Sequence, residues 1–286
     1  MSAIFSPCKL CCRLSAAVSA ADSATLTAAV GQENLLLQTY GVTLPAIHRR
    51  NADVVPGTRD AVATKILEML QPRLLLSNVP LAVAGDGNCM FRAVSRALYG
   101  TESLYGLLRL LTALEMSCHP AYYDATRADY SGNINDASVY ITAYQDLLHA
   151  ACTVGASSEF IHMYAVSAVV GVPIKSVHPS NSLHFQAWNE TVVGRNVQQH
   201  AADIQLLWSS SALPSDSSSF AADHFVVLHH LPAATNFQPA IPITVPASSQ
   251  LCVKRSANAN STGNSLLMVN SHLSSPLKML PMTWIV

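Results

Sequence analysis

The spacing of the apolar residues changes once along this chain, and the change restricts the fold more than any other feature. Between residues 60 and 170 apolar residues recur every three or four positions, which is typical of amphipathic helices. Beyond residue 172 the pattern becomes short β-branched or aromatic runs separated by turn residues, which predict strands. The predicted helices are 60–71, 88–100, 101–119, 138–153 and 157–170, and the predicted strands are 173–178, 184–189, 204–208 and 224–228. Helices followed by strands favour an α+β domain over a regular βαβ repeat.

The composition supports a folded core and argues against two classes of partner. The chain has 286 residues, of which 50% are hydrophobic and 12% charged, and its formal net charge is -1. Because no basic field is available to attract phosphate, we expect no nucleic-acid partner. The longest apolar stretch, 160–174, contains His162 and is shorter than the roughly 18 residues that a spanning helix needs, so we expect no membrane partner.

The cysteines indicate a reducing compartment rather than a disulfide framework. Their number, seven, is odd and their spacing is irregular, unlike that of small secreted proteins. Cys8, Cys11 and Cys12 are close in sequence, but no second cysteine or histidine pair follows at zinc spacing. We therefore expect neither a metal site nor a cofactor, and a cytoplasmic or nuclear location.

The two ends of the chain differ in composition from its middle. Residues 1–55 contain a stretch of mostly Ala, Ser and Thr and are predicted to be a flexible or weakly helical leader. Residues 232–286 begin with several prolines and continue with a Ser/Asn-rich stretch, which predicts a loose tail. The folded domain is therefore predicted at 56–231.

The segment 85–93, GDGNCMFRA, carries the most chemical information. Two glycines allow a tight backbone immediately before a helix, and Asn88 can cap that helix. Cys89 then lies in the first turn, where unpaired N–H groups favour a thiolate and can also receive an oxyanion. The alternative is an inert core cysteine, because free cysteine is among the most buried residues.

A cysteine nucleophile also needs a base, and His224 is the strongest candidate among eleven histidines. It opens the predicted strand at 224–228, after a polar loop. The order along the chain, with a cysteine on an early helix and a histidine on a late strand, is that of papain-type peptidases. His162, on an apolar helix, is predicted to be a core residue instead.

Segment 86–95, DGNCMFRAVS, closely resembles the nucleophile motif of the OTU (ovarian tumour) cysteine peptidases, most of which are deubiquitinases. Residues 159–174 resemble the family's helix that leads into a strand, and Asp223-His224-Phe225 resembles its histidine strand. Divergent OTU domains associated with mobile elements have a similar His-Phe-Val ending. The resemblance covers about 78–231.

This resemblance implies a papain-like fold with a small central sheet flanked by helices. It implies hydrolysis of isopeptide or peptide bonds at the C-terminus of ubiquitin or a ubiquitin-like modifier, with ubiquitin and ubiquitinated proteins as partners. By motif position, Cys89 is the nucleophile, His224 the general base, and Asp86 an acidic member of the site. The backbone N–H groups of Gly87, Asn88 and Cys89 would form the oxyanion hole.

One departure from the family pattern leaves a second function open. Many members carry Asp or Asn two residues after the histidine, whereas this chain has Val226. Side chains alternate across a strand, so Asp223 is expected to point away from the face that His224 uses. The imidazole therefore lacks its usual support, and the alternative is a weak or inactive OTU-like module that binds ubiquitin or another protein.

Overall fold

The computed structural model describes residues 6–20, 23–47, 57–132, 142–179, 188–199, 204–216 and 220–231. All of them belong to one unit, Met1–Asn236. The predicted loose tail at 232–286 lies outside the described residues. Among the described residues no helix is both long and apolar enough to span a bilayer, and no three His, Cys, Asp or Glu residues form a group suited to a metal ion.

Helices dominate the first two thirds of the described chain and strands dominate the rest. The helices are α1 (Pro7–Ser19), α2 (Ser23–Thr39), α3 (Ala61–Leu70), α4 (Cys89–Tyr99), α5 (Tyr105–Cys118), α6 (Pro120–Tyr123), α7 (Tyr144–Cys152) and α8 (Phe160–Val170), with a short 3-10 helix at Pro72–Leu76. The strands are β1 (Asn78–Leu81), β2 (Ile174–Val177), β3 (Thr191–Val192), β4 (Ile204–Ser209) and β5 (His224–His230).

The strands form one mixed sheet in the order β1-β5-β4-β2-β3. Strands β2 and β4 are parallel, and the other three pairings are antiparallel. The predicted fold class, α+β with a small central sheet flanked by helices, is confirmed. Of the strand predicted at 184–189, residues 184–187 lie outside the described residues, and Asn189 lies in a bend.

Alternation along β5 divides its side chains between two sides of the sheet. Phe225 and Val227 pack into the larger core, which includes α4. Val226 and Leu228 pack into a smaller cluster with Leu207 of β4 and residues of α3. Because successive side chains of a strand point to opposite faces, His224 belongs to the same face as Val226.

The N-terminal segment differs from the flexible or weakly helical leader that we predicted. Helix α1 packs against α5 and α7, and Leu10, Cys11 and Leu14 are buried in the main core. These residues, followed by Val18, recur at helical spacing and form an apolar stripe within an otherwise small and polar sequence. The core therefore extends into residues that the composition alone assigned to a leader.

Candidate active site

The nucleophile loop, residues 82–88, connects the end of β1 to the start of α4. Gly87 has a φ of 75°, a left-handed conformation that favours glycine. A Cβ atom at this position would lie 1.7 Å from the carbonyl oxygen of Gly155, so the loop is in direct backbone contact with the turn after α7. This contact fixes where the first turn of α4, and hence Cys89, begins.

Asn88 joins the same two loops through its side chain. Its Oδ1 accepts the N–H of Gly155 at 3.1 Å, and its Nδ2 donates to the carbonyl of Asp86 at 3.3 Å. The side chain makes no capping hydrogen bond to α4. The sequence placed Asn88 correctly at the helix start, but the prediction that its side chain caps the helix is wrong, because the amide is used between the loops.

Arg109 is a fully buried cation of α5 that the sequence analysis missed. Its Nη2 donates to the carbonyl of Gly87 at 2.8 Å and to that of Ala156 at 2.6 Å. Its Nη1 donates to the carbonyls of Ala150 at 2.6 Å and Thr153 at 2.8 Å. With the carbonyl of Ala151 at 3.5 Å, five carbonyls share one guanidinium, which ties the nucleophile loop to the end of α7 and the segment after it.

Burial lowers the pKa of Arg109 to about 10, which still leaves it charged at neutral pH. The guanidinium also lies over the ring of Phe91, 4.5 Å from its centroid. A sequence signal for it existed, since Arg109 is a single charged residue within the apolar run 107–114. A charge in such a run is retained only where polar groups surround it.

Cys89 is buried, with 4% of its surface exposed, at the start of α4. Burial raises the pKa of its thiol, and the nearby charge of Asp86 raises it further. The backbone N–H groups of Phe225, Met90 and Cys89 itself point to the sulfur and act in the opposite direction. The net pKa is raised, so the resting side chain is a neutral thiol.

His224 approaches the nucleophile loop from the start of β5. It begins β5, and Phe225, whose N–H points to the sulfur, follows it directly. A Cβ atom at Gly85 would lie 3.6 Å from Cε1 and 3.7 Å from Nδ1 of the His224 ring. The structure thus places the imidazole against the nucleophile loop. The sulfur and the imidazole, both among the described groups, are not hydrogen-bonded to each other.

Asp86 is engaged within the loop rather than with His224. Its carboxylate binds Arg92 through Nε at 3.0 Å and Nη2 at 2.6 Å, and it accepts the N–H of Asn88 at 3.1 Å. The hydrogen bonds from Arg92 are the main reason that the pKa of Asp86 falls far below its usual range. A catalytic role for Asp86 stays a prediction, and its observed contacts organise the nucleophile loop.

The three predicted oxyanion donors are not equivalent. The N–H of Asn88 is bonded to Oδ1 of Asp86, and the N–H of Cys89 points to its own sulfur. The carbonyl of Gly87, not its N–H, is the group that the buried cation holds. The Cys89 N–H, at the start of α4, is the donor best placed to receive an oxyanion formed beside the sulfur.

The usual support for the imidazole is missing in the described structure. Val226 is fully buried against α3, and no carboxylate of the described residues bonds His224. Asp223 accepts the N–H and the hydroxyl of Ser211, both at 2.6 Å. As expected from strand alternation, the carboxylate next to the histidine is directed elsewhere.

A cavity of about 410 Å³ opens beside the cysteine. Its aromatic walls are Phe160, Trp188, Trp208 and Phe225, and Cys89 lies at its edge. A substrate chain entering here would approach the sulfur from the side of the larger core.

His162 occupies the position that the sequence predicted for it. It is fully buried in α8, its Nε2 lies 2.8 Å from the carbonyl of Leu147, and its Nδ1 accepts the N–H of Glu159 at 2.8 Å. Burial lowers its pKa to about 4, so it is neutral. The prediction of a core histidine is confirmed.

Two solved structures align with much of this chain. The OTU domain of OTUD1 aligns with a TM-score of 0.38 and 20% identity, covering 59% of this chain and 94% of that domain. A chain in the OTUB1–ubiquitin aldehyde–UBC13~Ub complex aligns with a TM-score of 0.41 and 11% identity, covering 72% of this chain and 98% of that one.

At the sequence level the similarity is to vertnin. Human (Homo sapiens) vertnin is 25% identical in an alignment of 230 residues that covers 72% of this chain and 32% of that protein. Zebrafish (Danio rerio) vertnin is 26% identical in an alignment of 191 residues that covers 60% of this chain and 28% of that protein. The chain therefore spans about a third of the length of these curated relatives. Residues 80–146, which include Cys89, match the family model described as "Vertnin, OTU domain", and this match confirms the resemblance to OTU domains that the nucleophile motif indicated.

Proposed function

We propose that this chain is a cysteine peptidase of the OTU type, which hydrolyses isopeptide or peptide bonds at the C-terminus of ubiquitin or a ubiquitin-like modifier. The observation that carries the proposal is the approach of the His224 ring to the nucleophile loop: a Cβ atom at Gly85, four residues before Cys89, would lie 3.6 Å from Cε1 of the imidazole. It joins the candidate nucleophile to the strand that carries the candidate base. The proposed partners are ubiquitin-type proteins and their conjugates, in the cytoplasm or nucleus.

The reaction begins from the neutral thiol. As the substrate carbonyl approaches, Cys89 gives its proton to an imidazole nitrogen of His224, and the sulfur forms a bond to the carbonyl carbon. The carbonyl electron pair moves to oxygen, where the N–H of Cys89 stabilises the negative charge. When the tetrahedral intermediate collapses, the C–N bond breaks, and the imidazolium gives its proton to the leaving amine.

The second half of the reaction releases the modifier. Water attacks the thioester carbon, and His224 accepts the proton of that water. The C–S bond then breaks, the modifier leaves with a free carboxylate, and Cys89 recovers a proton from the imidazolium. A base is required at the first step because the raised pKa of Cys89 leaves little thiolate at neutral pH.

The proposal is tested with a ubiquitin probe that carries an electrophile at its C-terminus. Wild type is expected to form a covalent adduct, and Cys89→Ala is expected to form none. Cys118→Ala is the matched control, because Cys118 is an exposed free cysteine outside the site, and this variant should label like wild type. Equal labelling of wild type and Cys89→Ala would exclude the nucleophile assignment.

A second candidate function, a module that binds ubiquitin or another protein without turnover, is favoured by two observations. Val226 occupies the position of the usual support, and the Cys89 thiol is buried with a raised pKa. For such a module, titration calorimetry with ubiquitin would show the same affinity for wild type and Cys89→Ala. Ubiquitin chains would then stay intact at any concentration of the protein.

A further inference from the structure

We propose that Ser209 is the positioning residue for His224: its hydroxyl hydrogen-bonds an imidazole nitrogen and holds the ring toward the nucleophile loop. The inference rests on the proposed function, in which His224 is the base. In this inference a residue of the neighbouring strand β4 orients the imidazole, because Val226 of β5 cannot.

The register of the sheet places the two residues directly opposite each other. Strands β4 and β5 are antiparallel, and Ser209 pairs with His224. Opposite residues in such a pair have Cβ atoms about 4.5–5.5 Å apart and point to the same face. The faces agree, because the preceding pair on that side, Leu207 and Val226, packs into the cluster formed with α3.

Ser209 is a buried polar side chain without a partner. Only 1% of its surface is exposed, and its Oγ has no hydrogen-bond partner within the described part of the chain. A buried hydroxyl without a partner is destabilising, so its presence needs an explanation. His224, 6% exposed, also has no side-chain hydrogen bond to any described residue. The unpartnered Ser209 hydroxyl and the His224 ring, which bonds no described side chain, therefore face each other across the strand pair.

The proposed hydrogen bond requires a rotation of the Ser209 side chain. The backbone at this point is fixed, since the N–H of Asp223 donates to the carbonyl of Ser209 at 3.1 Å. The serine Cα–Cβ bond has three staggered positions, and moving between them shifts Oγ without moving the strand. We place the hydrogen bond in the state in which His224 is turned toward the sulfur.

The other polar groups near this face are already engaged. The carboxylate of Asp223 is bonded to Ser211, and that of Asp86 is bonded to Arg92. The Thr64 hydroxyl, on the first turn of α3, donates to the carbonyl of Asp60. Among the described side chains on this face, Ser209 is thus the hydroxyl left for the imidazole.

A hydroxyl supports a histidine differently from a carboxylate. It fixes the ring orientation and the tautomer, but it brings no negative charge to stabilise the imidazolium. The expected contribution is therefore that of one neutral hydrogen bond, about three- to tenfold in rate.

The experiment measures the rate of labelling by the ubiquitin probe in a double-mutant cycle of Ser209 and His224. Ser209→Ala is expected to slow labelling about three- to tenfold, and Ser209→Thr, which keeps the hydroxyl, to restore most of the rate. In a His224→Gln background, Ser209→Ala is expected to change nothing further, because Ser209 acts only through the imidazole. Ser210→Ala is the matched control and should label like wild type.

A second readout keeps this inference separate from the proposed function. The ¹⁵N resonances of the His224 imidazole are recorded by NMR in wild type and in Ser209→Ala, with melting curves to show that both are folded. If wild type is not labelled by the probe, the proposed function fails, but a changed His224 resonance still supports the contact with Ser209. Unchanged resonances, or an equal loss of rate in the His224→Gln background, would overturn the inference.

Discussion

The guanidinium of Arg109 donates to the carbonyl of Gly87 at 2.8 Å, two residues before the candidate nucleophile. The same side chain holds the carbonyls of Ala150, Thr153 and Ala156. A buried charge is tolerated only when polar groups surround it, and here those groups belong to the nucleophile loop, the end of α7 and the segment after α7. The position of the nucleophile loop therefore depends on a residue of α5 that does not line the cavity beside Cys89.

The first prediction concerns this cation. Arg109→Met removes every donor and leaves several buried carbonyls without partners, so we expect a loss of about 3–5 kcal/mol in the free energy of unfolding. Arg109→Lys keeps the charge, but a single ammonium has only three donors and cannot span both loops. Urea denaturation should rank the proteins wild type, then lysine, then methionine. A methionine variant as stable as wild type would contradict the observed network.

The elements predicted correctly are those that local chemistry determines. Helix α3 follows an apolar pattern, and the Asp60 carboxylate caps it by accepting the N–H of Ala63 at 2.7 Å. Strand β1 was missed because it contains Pro80, which argues against a strand. In the structure β1 is an edge strand of the sheet, where the missing N–H of a proline is tolerated.

The sequence predicted those candidate site residues that belong to its motifs. Cys89 and His224 came from residue types and their order, and the structure brings their segments together. The hydrogen bonds of Arg109 and the pairing of Ser209 with His224 join residues that belong to different elements, and no local pattern encodes which carbonyl or strand residue they will face. Asp86 differs, because its partner Arg92 is near in sequence. The motif was compatible both with a catalytic role for Asp86 and with a role in organising the loop.

The second prediction concerns the close approach of the two loops. Gly87→Ala would place a Cβ atom 1.7 Å from the Gly155 carbonyl oxygen and would also require a positive φ of an alanine. We expect it to lower stability by more than the roughly 1–2 kcal/mol that a left-handed alanine costs, and to abolish labelling of Cys89. Gly171→Ala is the matched control, since it has a φ of 72° but no atom within 4 Å. Equal losses for both variants would mean that the loops can separate freely.

The third prediction concerns the resting state of the nucleophile. Because burial raises the pKa of Cys89, the rate of its alkylation by iodoacetamide should keep rising above pH 9. Asp86→Asn removes a charge that raises this pKa, so alkylation at neutral pH should become slightly faster. Peptide mass spectrometry separates Cys89 from the exposed Cys12 and Cys118. A rate that levels off near pH 7 would instead indicate a preformed thiolate–imidazolium pair.

The fourth prediction uses the buried histidine of α8. Burial lowers the pKa of His162 from 6.5 to about 4, so between these values the unfolded chain binds a proton that the folded chain does not. The contribution of neutral His162 to the free energy of unfolding is complete above pH 6.5 and is lost as the pH falls toward 4. This loss amounts to roughly 2–3 kcal/mol. Glu115, whose pKa is lowered from 4.5 to about 2, affects stability only at lower pH. Urea denaturation at pH 7.5 and 4.8 should therefore show that the free energy of unfolding falls less in His162→Gln than in wild type. Glutamine keeps a donor and an acceptor but does not titrate. The same loss in both proteins would show that another group carries the pH dependence.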